Sequence, residues 1–159
     1  MTHIHMKFTN LDVCTINASK FRNGGISIKA TKYKNQIYTQ LQGYIKEMDA
    51  FRAAFEAIPD VDKELHLMVN VLIPASKYKT KCGGISIGSI DLDNYLKLLI
   101  DSVMDFRHHN ETRAKLNFVV QKLDINDKYI TKIIATKAAN PDLSVDPKTK
   151  DIEFILEIV

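Results

Sequence analysis

Ten consecutive residues restrict the fold most. Residues 64–73, Glu-Leu-His-Leu-Met-Val-Asn-Val-Leu-Ile, alternate so that Leu65, Leu67, Val69, Val71 and Ile73 share one side. A period of two predicts a β-strand with one face against a core, because successive strand side chains point to opposite faces. His66 and Asn70 then fall on the other face, where a strand histidine more commonly meets solvent or a hydrogen-bond partner than a metal. Pro74 closes the run, having no N–H to give to a ladder.

A second period lies upstream. From Thr31 to Ile58, Tyr33, Ile37, Leu41, Tyr44, Ile45, Met48, Phe51 and Phe55 recur at spacings of three and four. This apolar stripe predicts one long packing helix, ended by Pro59. Residues 6–15 have β character without clean alternation and are read as a strand. The basic segment from Asn17 to Gly25 follows as a loop, its Asn23-Gly24-Gly25 step favouring positive φ. Residues 75–90 are read as a loop, with Lys77, Lys79 and Lys81 in its first half and Gly83, Gly84 and Gly88 in its second. No Walker pattern accompanies those glycines. The loop is either a soluble connection or a basic flap that grips a phosphate backbone.

Residues 91–106 predict a second helix, burying Leu92, Tyr95, Leu96, Leu99, Val103 and Phe106. Residues 107–123 read as a basic, polar extension with a short β segment near Phe118-Val119-Val120. His108 and His109 lack the spacing of a zinc pair. A polar turn at 124–127 leads to a strand at 128–137, and a proline-bearing link leads to a last strand at 151–159, with Ile152, Phe154, Leu156 and Ile158 on one side. Strand, long helix, strand, helix, strand, strand implies a single α/β domain over residues 1–159, with helices on one face of a mixed sheet in two layers.

Composition narrows the setting. At 159 residues and 45% hydrophobic content the chain can bury one sizeable core, and 26% charged residues argue against global disorder. A net charge of +3 is too small to specify a nucleic-acid partner. Cys14 and Cys82 are too few for a disulfide framework or a four-ligand zinc site. No apolar run approaches the roughly 18 residues of a membrane span, and the first residues lack a signal-peptide layout. A cytoplasmic protein with no membrane partner is expected, with His3 and His5 merely solvated.

The chemistry concentrates in Asp91-Leu92-Asp93-Asn94-Tyr95-Leu96-Lys97, with Asp101 one turn later. Two carboxylates at i and i+2 cannot share a helical face. They can converge if Asp91 precedes the helix and Asp93 begins it, so that both reach one hard cation such as Mg²⁺ or Mn²⁺. Either acid could instead serve only as a helix cap. An EF-hand is excluded, since its glycine and terminal glutamate are missing. Glycosyltransferases also use an Asp-x-Asp motif, on nucleotide-binding domains usually larger than this chain.

The run Asp91-x-Asp93-Asn94-x-x-Lys97-x-x-x-Asp101, followed by an acidic turn before a strand, resembles the RusA-type Holliday junction resolvases. Ile26-Ser27-Ile28-Lys29 and Tyr33-Lys34 extend the likeness toward the N-terminus. The resemblance implies a homodimeric, Mg²⁺- or Mn²⁺-dependent endonuclease that nicks a four-way DNA junction symmetrically. It implies that Asp91, Asp93 and Asp127 bind the metal and that Lys97 contacts the scissile phosphate or the attacking water. Asn94 and Asp101 would support them, and Lys20, Arg22, Lys77, Lys79 and Lys81 would attract DNA. Asn126 stands where the family pattern has the first aspartate of a pair, the segment from Asp101 to Asp127 is longer than usual, and the N-terminal Pro-Pro signature is absent.

Overall fold

The computed structural model describes residues 2–12, 28–85, 92–104, 121–144 and 149–159. Among the described residues there are four strands and four helices: β1 (His3–Asp12), α1 (Ile28–Leu41), α2 (Ile45–Glu56), β2 (Leu65–Pro74), α3 (Ala75–Tyr78), α4 (Leu92–Met104), β3 (Ile130–Asn140) and β4 (Thr149–Ile158). The strands form one sheet in the order β1-β4-β2-β3. β4 is antiparallel to both β1 and β2, while β2 and β3 are parallel, so the sheet is mixed. This is the two-layer α/β arrangement that the order of elements implies.

The alternation at 64–73 does what its period requires. Leu65, Leu67, Val69, Val71 and Ile73 are all buried, and His66, Met68 and Asn70 lie on the face the helices leave open. In β4, Phe154 sits between Met6 of β1 and Val69 of β2, and all three are fully buried. The open face is held by polar cross-strand contacts. Asn70 donates to Glu153 at 3.2 Å, and Thr136 donates to Asn70 at 2.6 Å.

β1 begins earlier than its sequence suggests, at His3. Ile4, Met6 and Phe8 are buried and His3 and His5 exposed, the usual alternation of a half-covered strand. A register shift between Phe8 and Leu11, with Asn10 at φ 53°, then breaks the phase. That irregularity explains why residues 6–15 lack clean alternation.

The predicted single helix over 31–58 is two helices joined by a tight turn at Gln42–Tyr44, where Tyr44 leaves helical geometry at φ −115°, ψ 16°. The bend keeps both apolar stripes on the core. Tyr33, Ile37, Tyr38 and Leu41 are buried from α1, and Met48, Phe51 and Phe55 from α2. A sheet edge exposes unpaired backbone groups, and one line of side chains covers that of β1. Gln36 accepts from Asp12 N, Gln40 both accepts from and donates to Thr9, and the Tyr44 hydroxyl does the same at Lys7. These residues recur every four positions, the spacing that aligns side chains along a helix.

Two further differences concern segments read as irregular. Residues 75–85 contain α3 and a small turn closed by the Lys79–Ile85 bridge, with Gly83 at φ 85° and Thr80 N donating to Gly84 O at 2.8 Å. β3 starts at Ile130 because Asp127–Tyr129 form a short 3-10 turn, capped by the Asn126 side chain, which accepts from Lys128 N at 2.9 Å. The expected loop at 17–25 and the β segment near 118–120 lie outside the described residues. No described helix is long and apolar enough to cross a membrane.

Candidate nuclease site

α4 carries the acidic motif. Its apolar positions explain its docking: Leu98, Leu99, Ile100, Val103 and Met104 are buried, and the buried Ser102 hydroxyl donates to Leu98 O at 2.6 Å. Asp91 lies outside the described residues. Asp93 and Asn94 stand in the first turn of α4, their side chains outside the description. Lys97 and Asp101 are on an exposed face, with Lys97 Nζ 3.7 Å from the Asp101 carboxylate at i,i+4 spacing. That pair is too solvated to contribute much to stability, and its lysine is free to exchange Asp101 for another anion.

Asp127 follows a segment anchored to α4 and α2. Leu123 and Asp124 donate their N–H groups to Val103 O and Met104 O, at 3.2 and 3.0 Å, satisfying carbonyls in the last turn of α4. Arg52 of α2 holds the same segment, donating to Leu123 O at 2.9 Å and to Lys122 O at 3.3 Å. Tyr129 packs edge-on against Phe55, ring centres 5.3 Å apart. These contacts tie the segment that leads to the exposed Asp127 to the last turn of α4, about three helical turns, or ~16 Å, beyond Asp93. Among the described residues no three His, Cys, Asp or Glu side chains group to hold a metal. The donors of the motif are all carboxylate oxygens, a set suited to Mg²⁺ or Mn²⁺ rather than to a softer ion.

Lys77, Lys79 and Lys81 are all exposed, Lys77 on α3 and the other two at the turn beyond it. Tyr78 fixes this segment to the sheet, its hydroxyl donating to Lys137 O at 3.3 Å. Lys20 and Arg22 lie outside the described residues.

Two lysines not singled out in the sequence prove unusual. Lys122, read there as part of a basic, polar extension, is buried, its Nζ 4.2 Å from the centre of the Tyr38 ring. Burial, and then the charge of Lys34, push its pKa down to about 8. Burial, and then the charge of Asp101, push the Tyr38 hydroxyl up to about 12. Lys150 is also buried, and its ammonium is pushed below the ordinary lysine range by burial and then by Lys77. Lys150 could have been found by running the Ile152, Phe154, Leu156 alternation back one step. Nothing comparable marks Lys122, whose burial depends on where α1 and α2 pack.

The Lys122 shift has a measurable consequence. Below about pH 8 the folded protein holds a charged, poorly solvated Lys122. Between about 8 and 10.5 the folded chain has released that proton while the unfolded chain retains it, so stability rises with pH across this window. Lys122→Met is expected to remove this rise in stability between about pH 8 and 10.5. Urea denaturation across that window should show the parent gaining stability relative to the variant. A difference independent of pH would contradict the assignment.

Comparison with protein-family models and with curated protein sequences finds no match to this chain.

Proposed function

We propose that this chain is a metal-dependent endodeoxyribonuclease that nicks four-way DNA junctions in pairs, acting as a homodimer in recombination and repair. The observation that carries the reading is the acidic helix itself. The Asp91-Leu92-Asp93-Asn94 motif leads into the first turn of α4, and Lys97 follows one turn later on an exposed face. Asp91 and Asp93 would hold Mg²⁺ or Mn²⁺, with Asp127 as the third carboxylate that the family pattern assigns. When bound, such an ion supplies charge neutralisation on a phosphodiester and lowers the pKa of a coordinated water. Lys97 would exchange its Asp101 contact for a phosphate oxygen, and Asp101 would hold the ammonium until DNA arrives. Lys77, Lys79 and Lys81 offset the repulsion between DNA and the acids.

A second reading rests on Asn126, which stands where the family pattern has the first aspartate of its pair: the chain could hold branched DNA without cutting it. Incubating the protein with a synthetic four-way junction or the matching duplex, with Mg²⁺, Mn²⁺ or chelator, separates the two. Paired, metal-dependent cuts at the branch support the nuclease, and tight junction binding without cleavage supports the binding module. Absence of any junction preference overturns both. Lys97→Ala is expected to retain junction affinity within about threefold while losing cleavage by at least about 100-fold. Equal loss of both would contradict the role given to Lys97.

A further inference from the structure

On the face that the helices leave open, strand register lines up three rows of side chains across β1, β4, β2 and β3. The middle row is His5, Ile155, Met68 and Ile134. Met68 is 39% exposed and Ile134 is 42% exposed, so neighbouring strands hold large apolar side chains in water. One flanking row is His3, Glu157, His66 and Lys132, and the other is Lys7, Glu153, Asn70 and Thr136. Met68, Ile134 and Ile155 line a shallow hollow of about 130 Å³ together with His66, Lys132 and Glu157.

The flanking rows differ in how their charges are met. Lys7 lies 3.4 Å from Glu153, which also accepts from Asn70, so that row is neutralised within the chain. In the other row His66 lies 3.3 Å from Glu64, and Glu157 pairs with no cation among the described residues. Both acids of these rows are on β4, with Lys7 and the histidines His3 and His5 on β1, His66 on β2 and Lys132 on β3.

We propose that two copies of this chain stack open face to open face, about a two-fold axis that runs parallel to the strands between β4 and β2. The pairing rests on the homodimer of the reading above, gives it a surface, and does not depend on cleavage. Charge selects the axis. A two-fold across the strands would set Glu153 against the partner's Glu157, and like charges so placed are costly. A two-fold along the strands exchanges β4 with β2 and β1 with β3. Glu157 then meets the partner's His66, Ile155 meets the partner's Met68, and His5 meets the partner's Ile134. Met68, unbranched and flexible, can fill the hollow opposite it. Four strands ~4.8 Å apart and about ten residues long present roughly 600 Å² per copy, which places the pair at the lower end of specific interfaces, near 1,200 Å² in total.

Sedimentation equilibrium of the full-length chain tests this. The parent should dimerise at micromolar concentration, and Met68→Arg should weaken the dimer at least about 100-fold by setting a charge in the apolar row of both copies. Glu157→Lys and His66→Glu should each weaken it about tenfold, because a two-fold interface loses the Glu157–His66 contact twice. An equimolar mixture of those two single variants should regain nearly parental affinity. In the mixed pair the introduced lysine and glutamate meet, and one native Glu157–His66 contact is kept. Mixing alters nothing within either chain, so a purely structural effect of the substitutions would not be rescued.

A mixture that associates no better than its components, or Met68→Arg that dimerises like the parent, overturns the interface and leaves the nuclease reading intact. Should Met68→Arg fail to fold, the mixture decides. A parent that stays monomeric at about 100 μM, where specific interfaces of this size are populated, overturns the interface and the homodimer together. Junction cleavage then decides the nuclease chemistry separately.

Discussion

Asp93→Asn is expected to abolish metal-dependent junction cleavage, with a fall of at least about a thousandfold, near 4 kcal/mol in activation free energy, while junction binding is kept or tightened. The substitution is nearly isosteric and removes one negative charge. The position is in the first turn of α4, away from the core contacts of Leu99 and Val103. Folding should therefore survive it. Loss of the carboxylate would weaken a hard-cation site, whereas loss of a charge that repels phosphate would favour DNA. The measurement pairs single-turnover cleavage with gel-shift affinity on one junction, in Mg²⁺ and in Mn²⁺. If Asp93→Asn cleaves at the parental rate, the acidic helix is not the centre of a nuclease, and the cap-only reading of Asp93 prevails.

Phe154→Ala carries the largest expected effect on folding, a loss of about 3–5 kcal/mol. The side chain is fully buried in β4, an interior strand of the sheet, between Met6 and Val69 on the neighbouring strands. Truncation forfeits the buried area of the ring and leaves a cavity that two hydrogen-bonded ladders cannot close. Such a loss is a large share of the stability of an ordinary domain. Urea unfolding should show the midpoint falling with little change in slope. A loss below about 1 kcal/mol would mean that the helices do not cover this face as described.

Much of the fold was legible because β2 and β4 alternate with a period of two, and Tyr33 to Phe55 follow a helical period. Those rhythms report which face is apolar and nothing more. They could not show that the helix breaks at Tyr44, because Tyr44 and Ile45 continue the same spacing through the bend. Nor could they show why Gln36 and Gln40 of α1 and Tyr44 of the turn after it share one line, since their partners are backbone groups of β1 more than twenty residues away in sequence. The site divides the same way. Asp91, Asp93, Lys97 and Asp101 form one contiguous motif with its spacing on the page, and Lys97–Asp101 pair at the predicted interval. The segment before Asp127 is held by the hydrogen bonds of Leu123 and Asp124 to α4 and of Arg52 to Leu123, which no local pattern announces.

By itself, then, the sequence determined the four strands, the apolar stripes of the longer helical segments, and where the acids cluster along the chain. These are local properties, set by side-chain period and by the chemistry of neighbours within a turn or two. Only the tertiary structure decided the strand order β1-β4-β2-β3, the burial of Lys122 and Lys150, and the docking of Leu123 and Asp124 on the last turn of α4. Each of these depends on contacts between residues far apart in the chain, and the shape of the assembled core, not the pattern of any one segment, selects among them.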